Sequence, residues 1–205
     1  MTKEPPRKTI YRLSIYQRCL SRLRANSVDT VSSEALAKAA GVKPTQLRKD
    51  LAYFGQFGTR GIGYSVSMLS NFLDDVLGTT KLQPVILIGV GNLGAALLRY
   101  DGFRKEGFEI TAAFDLAPES ANARNVPFAI RAAKEMPVYV REHHVKMAIL
   151  AIPSNSAQSV VNEAVDAGIQ AILNFSPTVL QVPSHVIVNS VDLAVELENL
   201  SYFIR

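Results

Sequence analysis

Three glycines, Gly89, Gly91 and Gly94, fall in the run Gly89-Val90-Gly91-Asn92-Leu93-Gly94, directly after the apolar stretch Pro84-Val85-Ile86-Leu87-Ile88. Asp115 follows 21 residues after Gly94, at the end of a second apolar run, Ile110 to Phe114. Glycines at this spacing between a strand and a helix permit a tight turn and a close backbone approach to a pyrophosphate. The helix that opens at Asn92 adds amide groups and a partial positive charge for the phosphates. An acid at the distance of Asp115 accepts from both hydroxyls of an adenine ribose and repels a 2′-phosphate. Gly89, Val90, Gly91, Asn92, Leu93, Gly94 and Asp115 therefore make a candidate dinucleotide site that favours NAD(H) over NADP(H). Gly91 is the decisive position, because a side chain there blocks the pyrophosphate.

A second set of residues points to a polyanion. Residues 1–60 hold 12 Lys and Arg against 4 Asp and Glu, while residues 81–205 hold 10 against 12, within a net charge of +4. A positive front on a neutral-to-acidic body suits nucleic acid. Gln46, Arg48 and Lys49 are placed by helical spacing on the face away from Leu47 and Leu51. Arg and Lys donate to guanine O6 and N7 in a major groove, and Arg also suits a narrow minor groove. Lys43 and Thr45, at the start of the same helix, and Arg60, in the glycine-rich run after it, complete the candidate DNA-binding set.

Catalytic chemistry is harder to find. His143 and His144 sit in a charged stretch that reads as solvated surface, and His185 precedes a strand; none has a base-and-orienter arrangement around it. The histidines and acids show no metal-ligand spacing. Cys19 is the single cysteine; it reads as a packed residue and rules out an internal disulfide framework. No apolar run reaches the ~18 residues a membrane helix needs, and Met1 to Lys8 leads into no signal core, so a cytoplasmic protein is expected.

The elements that position these residues form two patterns. Thr9–Ala25 is helical, through Ile10, Leu13, Tyr16, Leu20 and Leu23. Ser32 or Ser33 caps a second helix, Gly41 stops it, and Pro44 opens a third that runs from Thr45 to Phe54, with Gly55 at its end. That is helix-turn-helix spacing. Glycines at 58, 61 and 63 predict a tight hairpin carrying Arg60 near its tip, the wing of a winged helix. Residues 66–77 add one more amphipathic helix, and 78–80 are the joint. Beyond it strands at 84–88, 109–114, 146–152, 170–174 and 185–189, with a short one near 138–140, alternate with helices at 92–100 and 156–167. Alternation of this kind means an α/β fold with a parallel sheet covered on both sides, of Rossmann type. Val191–Ile204 is a terminal apolar helix that must bury itself, by default on its own sheet, otherwise on another subunit. The expected domains are thus 1–78, 81–190 and 191–205.

Taken together, the stretch from Gln46 to Gly55, the run from Gly58 to Tyr64, the Gly89–Gly94 turn, Ile172-Leu173-Asn174-Phe175-Ser176-Pro177 and Val191-Asp192-Leu193-Ala194 resemble, in order, the bacterial redox-sensing repressors of the Rex family. The resemblance spans nearly the whole chain. It implies a homodimeric repressor, not an enzyme, that binds palindromic operator DNA and releases it when NADH binds, with NADH/NAD+ as effector. It further implies that the C-terminal helix is exchanged between subunits and that Arg48, Lys49 and Arg60 serve the operator. Pro153 and Ser154 would border the nicotinamide. Tyr100 and Asp192 would meet across subunits in the NADH-bound state, with Arg18 as the alternative partner of Asp192. Two rival readings of the same residues are a small NAD-dependent oxidoreductase with a helical appendage and a CoA- or nucleotide-binding subunit of a larger assembly.

Overall fold

The computed structural model describes residues 4–59, 61–122, 126 and 129–204, so that Arg60 lies outside the described residues. The chain divides into two compact units, 1–81 and 82–205.

In the first unit, α1 (Arg7–Ala25) turns Leu13, Tyr16, Cys19 and Leu20 inward. After β1 (Thr30–Val31), α2 (Ser33–Ala39) is capped by Ser32, whose hydroxyl oxygen accepts from the Ala35 amide at 3.0 Å. Such a cap satisfies one of the orphan amides of the first turn. Helix α3 (Pro44–Leu51) has Pro44 at its start, where a missing N–H costs nothing. It ends at Leu51, before the expected Phe54. Tyr53 and Phe54 instead bond three residues back, to the Asp50 and Leu51 carbonyls, and the tighter turn closes the helix early.

β2 (Gly58–Thr59) and β3 (Gly63–Ser65) form the expected hairpin, and β1 adds to it in the order β1-β3-β2. At Gly63, with φ +95°, an added Cβ would overlap the Val31 carbonyl, so glycine alone lets β3 approach β1. α4 (Val66–Leu77) ends at Gly78 in the left-handed conformation. Leu13, Leu20, Leu36, Leu47, Leu69 and Leu73 make one core for this winged-helix unit.

The second unit runs β4 (Gln83–Ile88), α5 (Asn92–Leu98), α6 (Gly102–Lys105), β5 (Phe108–Asp115), α7 (Pro118–Asn122), β6 (Arg131–Ala132), α8 (Met136–Glu142), β7 (Met147–Leu150), α9 (Ser154–Ala167), β8 (Ala171–Asn174), β9 (Ile187–Ser190) and α10 (Leu193–Tyr202). All six strands are parallel, in the order β6-β5-β4-β7-β8-β9. The order reverses between β4 and β7, which is where a doubly wound sheet opens a ligand crevice. Alternate residues serve opposite faces. Ile86, Ile88, Phe114 and Leu150 pack with α8 and α9, whereas Val85, Leu87, Ala113 and Ile149 pack with α5.

One expected strand fails here, and one of the two alternatives for the C-terminal helix drops out. Residues 138–140 are not a strand but the middle of α8, and the short edge strand is β6 at Arg131–Ala132. Met136, Tyr139 and Val140 are buried at helical spacing, a pattern that a three-residue apolar window cannot reveal. The C-terminal helix does not pack on its own sheet. None of its residues is buried, and Leu193, Leu197 and Leu200 are 64%, 68% and 64% exposed.

Candidate nucleotide and nucleic-acid sites

The nucleotide cleft is built where β4 and β7 end. The Gly89 amide donates to the Phe114 carbonyl and the Ala151 amide to the Ile88 carbonyl, both at 2.8 Å, which locks the strand ends side by side. Each glycine of the turn then has its own reason. Gly89 has φ +93°, and a Cβ there would meet Ile152 and the Ala151 carbonyl. A Cβ on Gly94 would overlap the Gly89 carbonyl, so α5 could not sit this close to β4. At Gly91, an added Cβ meets nothing within 4 Å. No described protein atom demands glycine at this position.

Asp115 closes the turn. Its Oδ2 accepts from the Val90 amide at 2.7 Å and its Oδ1 from the Ala117 amide at 2.9 Å. A carboxylate has about four acceptor positions, and these two amides occupy two of them. The cleft of ≈ 200 Å³ is lined by Gly89, Gly91, Asp115, Leu116, Pro153 and Ser156, among others. Ser154 is exposed at the start of α9 and does not line the cleft; Ser156, two residues on, does. Val90 is buried beneath the turn, while Asn92 and Leu93 open α5 on its exposed side.

Tyr100 and Asp192, expected to meet across subunits, each have contacts within this chain. Tyr100 is exposed, with its ring edge-on to Phe103 at 5.1 Å between centroids. Asp192 caps α10, its Oδ1 accepting from the Ala194 and Val195 amides at 2.9 and 3.3 Å.

Lys43, which precedes α3, and Thr45, Arg48 and Lys49 on it are exposed. Arg48 Nη1 donates to Ser33 Oγ at 2.9 Å and lies 3.4 Å from Glu34 Oε1, and Lys49 has no ion pair among the described residues. Gln46 departs from the expected outward face. It is half-buried and its Nε2 donates to Asp50 Oδ1 at 2.9 Å. Asp50 is fully buried, and Arg12 grips it with Nε at 2.6 Å and Nη2 at 2.7 Å. Tyr16 Oη and Thr9 Oγ1 also donate to it, at 2.8 and 3.1 Å. Burial pushes the Asp50 carboxyl up, but the bonds from Arg12, Tyr16 and Gln46 outweigh it and hold the group below the usual carboxylate range. The same contact raises the Arg12 guanidinium, and burial followed by the Asp50 bond raises the Tyr16 phenol.

The sequence reading overlooked this cluster. Its only signal was a charged residue between Leu47 and Leu51, on the buried face of α3. Among the described residues no group of His, Cys, Asp or Glu is arranged to hold a metal ion. His143, His144 and His185 are exposed, and His143 stacks on Tyr139 at 3.9 Å. Burial pushes the Cys19 thiol up, away from the reactive thiolate, with Arg22 opposing. No helix is long and apolar enough to cross a membrane among the described residues.

Comparison with known proteins follows the two units. A family model described as a putative DNA-binding protein N-terminus matches residues 6–52, and one described as a CoA binding domain matches residues 80–178. The redox-sensing transcriptional repressor Rex of Pelotomaculum thermopropionicum is 45% identical over 197 residues, covering 96% of this chain and 92% of that protein. This chain belongs to the Rex family. The Rex-family repressor RSP has been solved with beta-NAD+ and operator DNA, and that structure shares a TM-score of 0.89 and 37% identity over 98% of this chain and 93% of its own. RSP in complex with beta-NADH gives a TM-score of 0.86 at 34% identity, over 98% of this chain and 95% of its own. The parallel sheet and the N-terminal helical unit are therefore those of Rex structures, and the relatives are named as transcriptional repressors.

Proposed function

We propose that this protein is an NADH/NAD+-responsive transcriptional repressor that binds palindromic operator DNA as a homodimer and releases it when NADH binds. The observation that carries the nucleotide half is the open space at Gly91, between two glycines that the protein's own packing requires. The Gly89–Gly94 backbone cradles the pyrophosphate, and Asp115, already oriented by the Val90 and Ala117 amides, accepts from the ribose. Pro153 and Ser156 border the nicotinamide end, with Ser154 beside them. The nicotinamide supplies the signal, because reduction changes its charge and ring shape. Relatives matched over nearly their whole length are named as transcriptional repressors, which favours sensing over hydride transfer. A nucleotide-binding subunit without DNA affinity leaves the winged helix and its basic α3 unexplained.

On the DNA side, Lys43 and Thr45 hold phosphates, Arg48 and Lys49 reach base edges, and Arg60 serves the wing. The exposed leucines of α10 supply the dimer contact, since an apolar stripe of this kind marks an interaction surface. In the NADH-bound dimer Tyr100 meets the partner's Asp192, whose capping role leaves its Oδ2 to accept. A ligand shifts a two-state equilibrium only by its differential affinity for the two states. NADH must therefore bind the DNA-incompetent dimer more tightly than NAD+ does, and reciprocity requires operator DNA to weaken NADH binding by the same factor. Titrating NADH with and without a bound operator duplex tests this. Identical NADH affinities in the two titrations would overturn the allosteric reading.

A further inference from the structure

A buried ionic cluster in the winged-helix unit stands outside the operator-facing residues. The Asp50 side chain is 0% exposed, and its Arg12 partner 22%. Five hydrogen bonds converge on its two oxygens, from Thr9, Arg12 (two), Tyr16 and Gln46, all between 2.6 and 3.1 Å. Three of the donor residues lie on α1; the carboxylate and Gln46 lie on α3. A pair of apolar side chains could hold the two helices together equally well, because buried ion pairs rarely stabilise more than hydrophobic replacements of equal volume. What the cluster adds is direction. A bidentate Arg–carboxylate contact fixes the plane and approach of both groups, which leucine against leucine does not.

Direction matters here because of what flanks Asp50. Lys49 and Arg48 immediately precede it on an eight-residue helix. Successive residues are ~100° apart around a helix, so anchoring Asp50 inward sets where Arg48 and Lys49 point. A helix with side chains is about 10–12 Å across, so a roll of roughly 30° would move their ends by about 3 Å. That exceeds the tolerance of a bidentate base contact. Gln46, one turn before Asp50, has an amide donor committed to the same carboxylate.

We propose that Asp50, held by Thr9, Arg12, Tyr16 and Gln46, is a positioning device for operator reading: it sets the roll of α3 so that Arg48 and Lys49 meet the bases, and Gln46 belongs to the device and not to the base contacts. The proposal rests on the repressor reading above. It separates two properties that a purely structural role would change together, the discrimination between sequences and the overall grip on DNA. Phosphate contacts give the second and are less directional than base contacts, which give the first.

The test uses the full chain and a duplex enriched by the wild-type protein from a randomised pool, with a scrambled duplex of equal length as reference. Asp50→Asn keeps the shape and removes the charge. Arg12→Lys, which keeps the charge and loses the fork, is the milder second variant should Asp50→Asn not fold. Folding is checked by thermal melting and NADH affinity. Expected in each folded variant is a loss of roughly tenfold or more on the enriched duplex, with the scrambled duplex changed by less than about threefold and NADH affinity unchanged. Gln46→Ala is expected to weaken binding to every single-base variant of the enriched duplex by a similar factor. Preserved preference for the enriched duplex in folded Asp50→Asn or Arg12→Lys overturns the proposal, as does an equal loss on both duplexes. Loss of discrimination at one base position in Gln46→Ala would return that residue to the base contacts and overturn its part. A wild-type protein that enriches no duplex overturns the repressor reading itself, an outcome seen before any variant is made.

Discussion

Replacing Gly91 by Val separates the ligand's needs from the protein's own. At Gly91 φ is −69°, an angle any residue adopts, and an added Cβ meets nothing within 4 Å. The folded state therefore has no steric objection. Removing glycine lowers the entropy of the unfolded chain by about 0.4–1 kcal/mol, and a poorer helix cap offsets this by a similar amount. The unliganded melting temperature should consequently shift by no more than a few degrees, because about 1 kcal/mol moves a unit of this size by roughly 3–5 °C. Ligand binding behaves differently. At an NADH concentration of about 100 times Kd, the wild-type protein gains about 2.7 kcal/mol, or roughly 8–14 °C. In Gly91→Val the added methyls occupy the pyrophosphate path, so this gain should vanish and NADH affinity should fall about 100-fold or more, some 2.7 kcal/mol. Differential scanning fluorimetry with and without NADH reads both numbers. Operator binding should persist at NADH concentrations that release the wild-type protein. An unchanged NADH-induced shift in Gly91→Val would mean that the pyrophosphate does not pass Gly91, and the reading of the three glycines would fail. Gly94→Ala is the control, since its Cβ overlaps the Gly89 carbonyl and should destabilise the unliganded protein as well.

Lys49→Ala should weaken operator binding and leave NADH affinity intact; if Lys49 touches a phosphate, the salt slope of binding falls by about one, and if it touches a base, discrimination falls instead. The Asp50 carboxyl is held below its unfolded value, so its contribution to stability is present above the unfolded pKa near 3.9 and is lost as pH falls through the lower folded value. Melting of the winged-helix unit followed from pH 6 down to pH 3 should thus steepen below about pH 4, and Asp50→Asn should flatten that slope; parallel pH profiles would refute this. Leu197→Glu with Leu200→Glu on α10 should convert the dimer to monomer without unfolding the sheet, because neither leucine is buried within the chain. Sedimentation velocity together with the melting curve checks it, and a dimer unaffected by both charges would place the subunit contact elsewhere.

Much of this was legible one residue at a time. The glycines of the Gly89–Gly94 turn, the acid 21 residues on and the glycine-punctuated hairpin are local signals. The turns at Gly89 and Gly63 and the cap at Ser32 are signalled by a few neighbouring residues, so periodicity and turn chemistry suffice to place them. The same local rules misplaced residues 138–140, because a short apolar stretch fits strand and helix equally until its neighbours Met136 and Pro137 show which face is buried.

The sequence by itself determined the alternation of strands and helices, the two-part charge distribution and the residue types that a dinucleotide and a polyanion require. Only the tertiary structure decided which of those residues stand together. It separated the three glycines into two that packing demands and one that it does not, and at Gly89 that distinction depends on Ala151 and Ile152, about 60 residues away. It brought Ser156 into the cleft wall, left α10 without a core of its own, and turned Gln46 inward onto a carboxylate gripped from α1. Each of these depends on contacts between distant segments. Spacing along one helix can place a side chain on a face, but what that face meets is set by the rest of the fold.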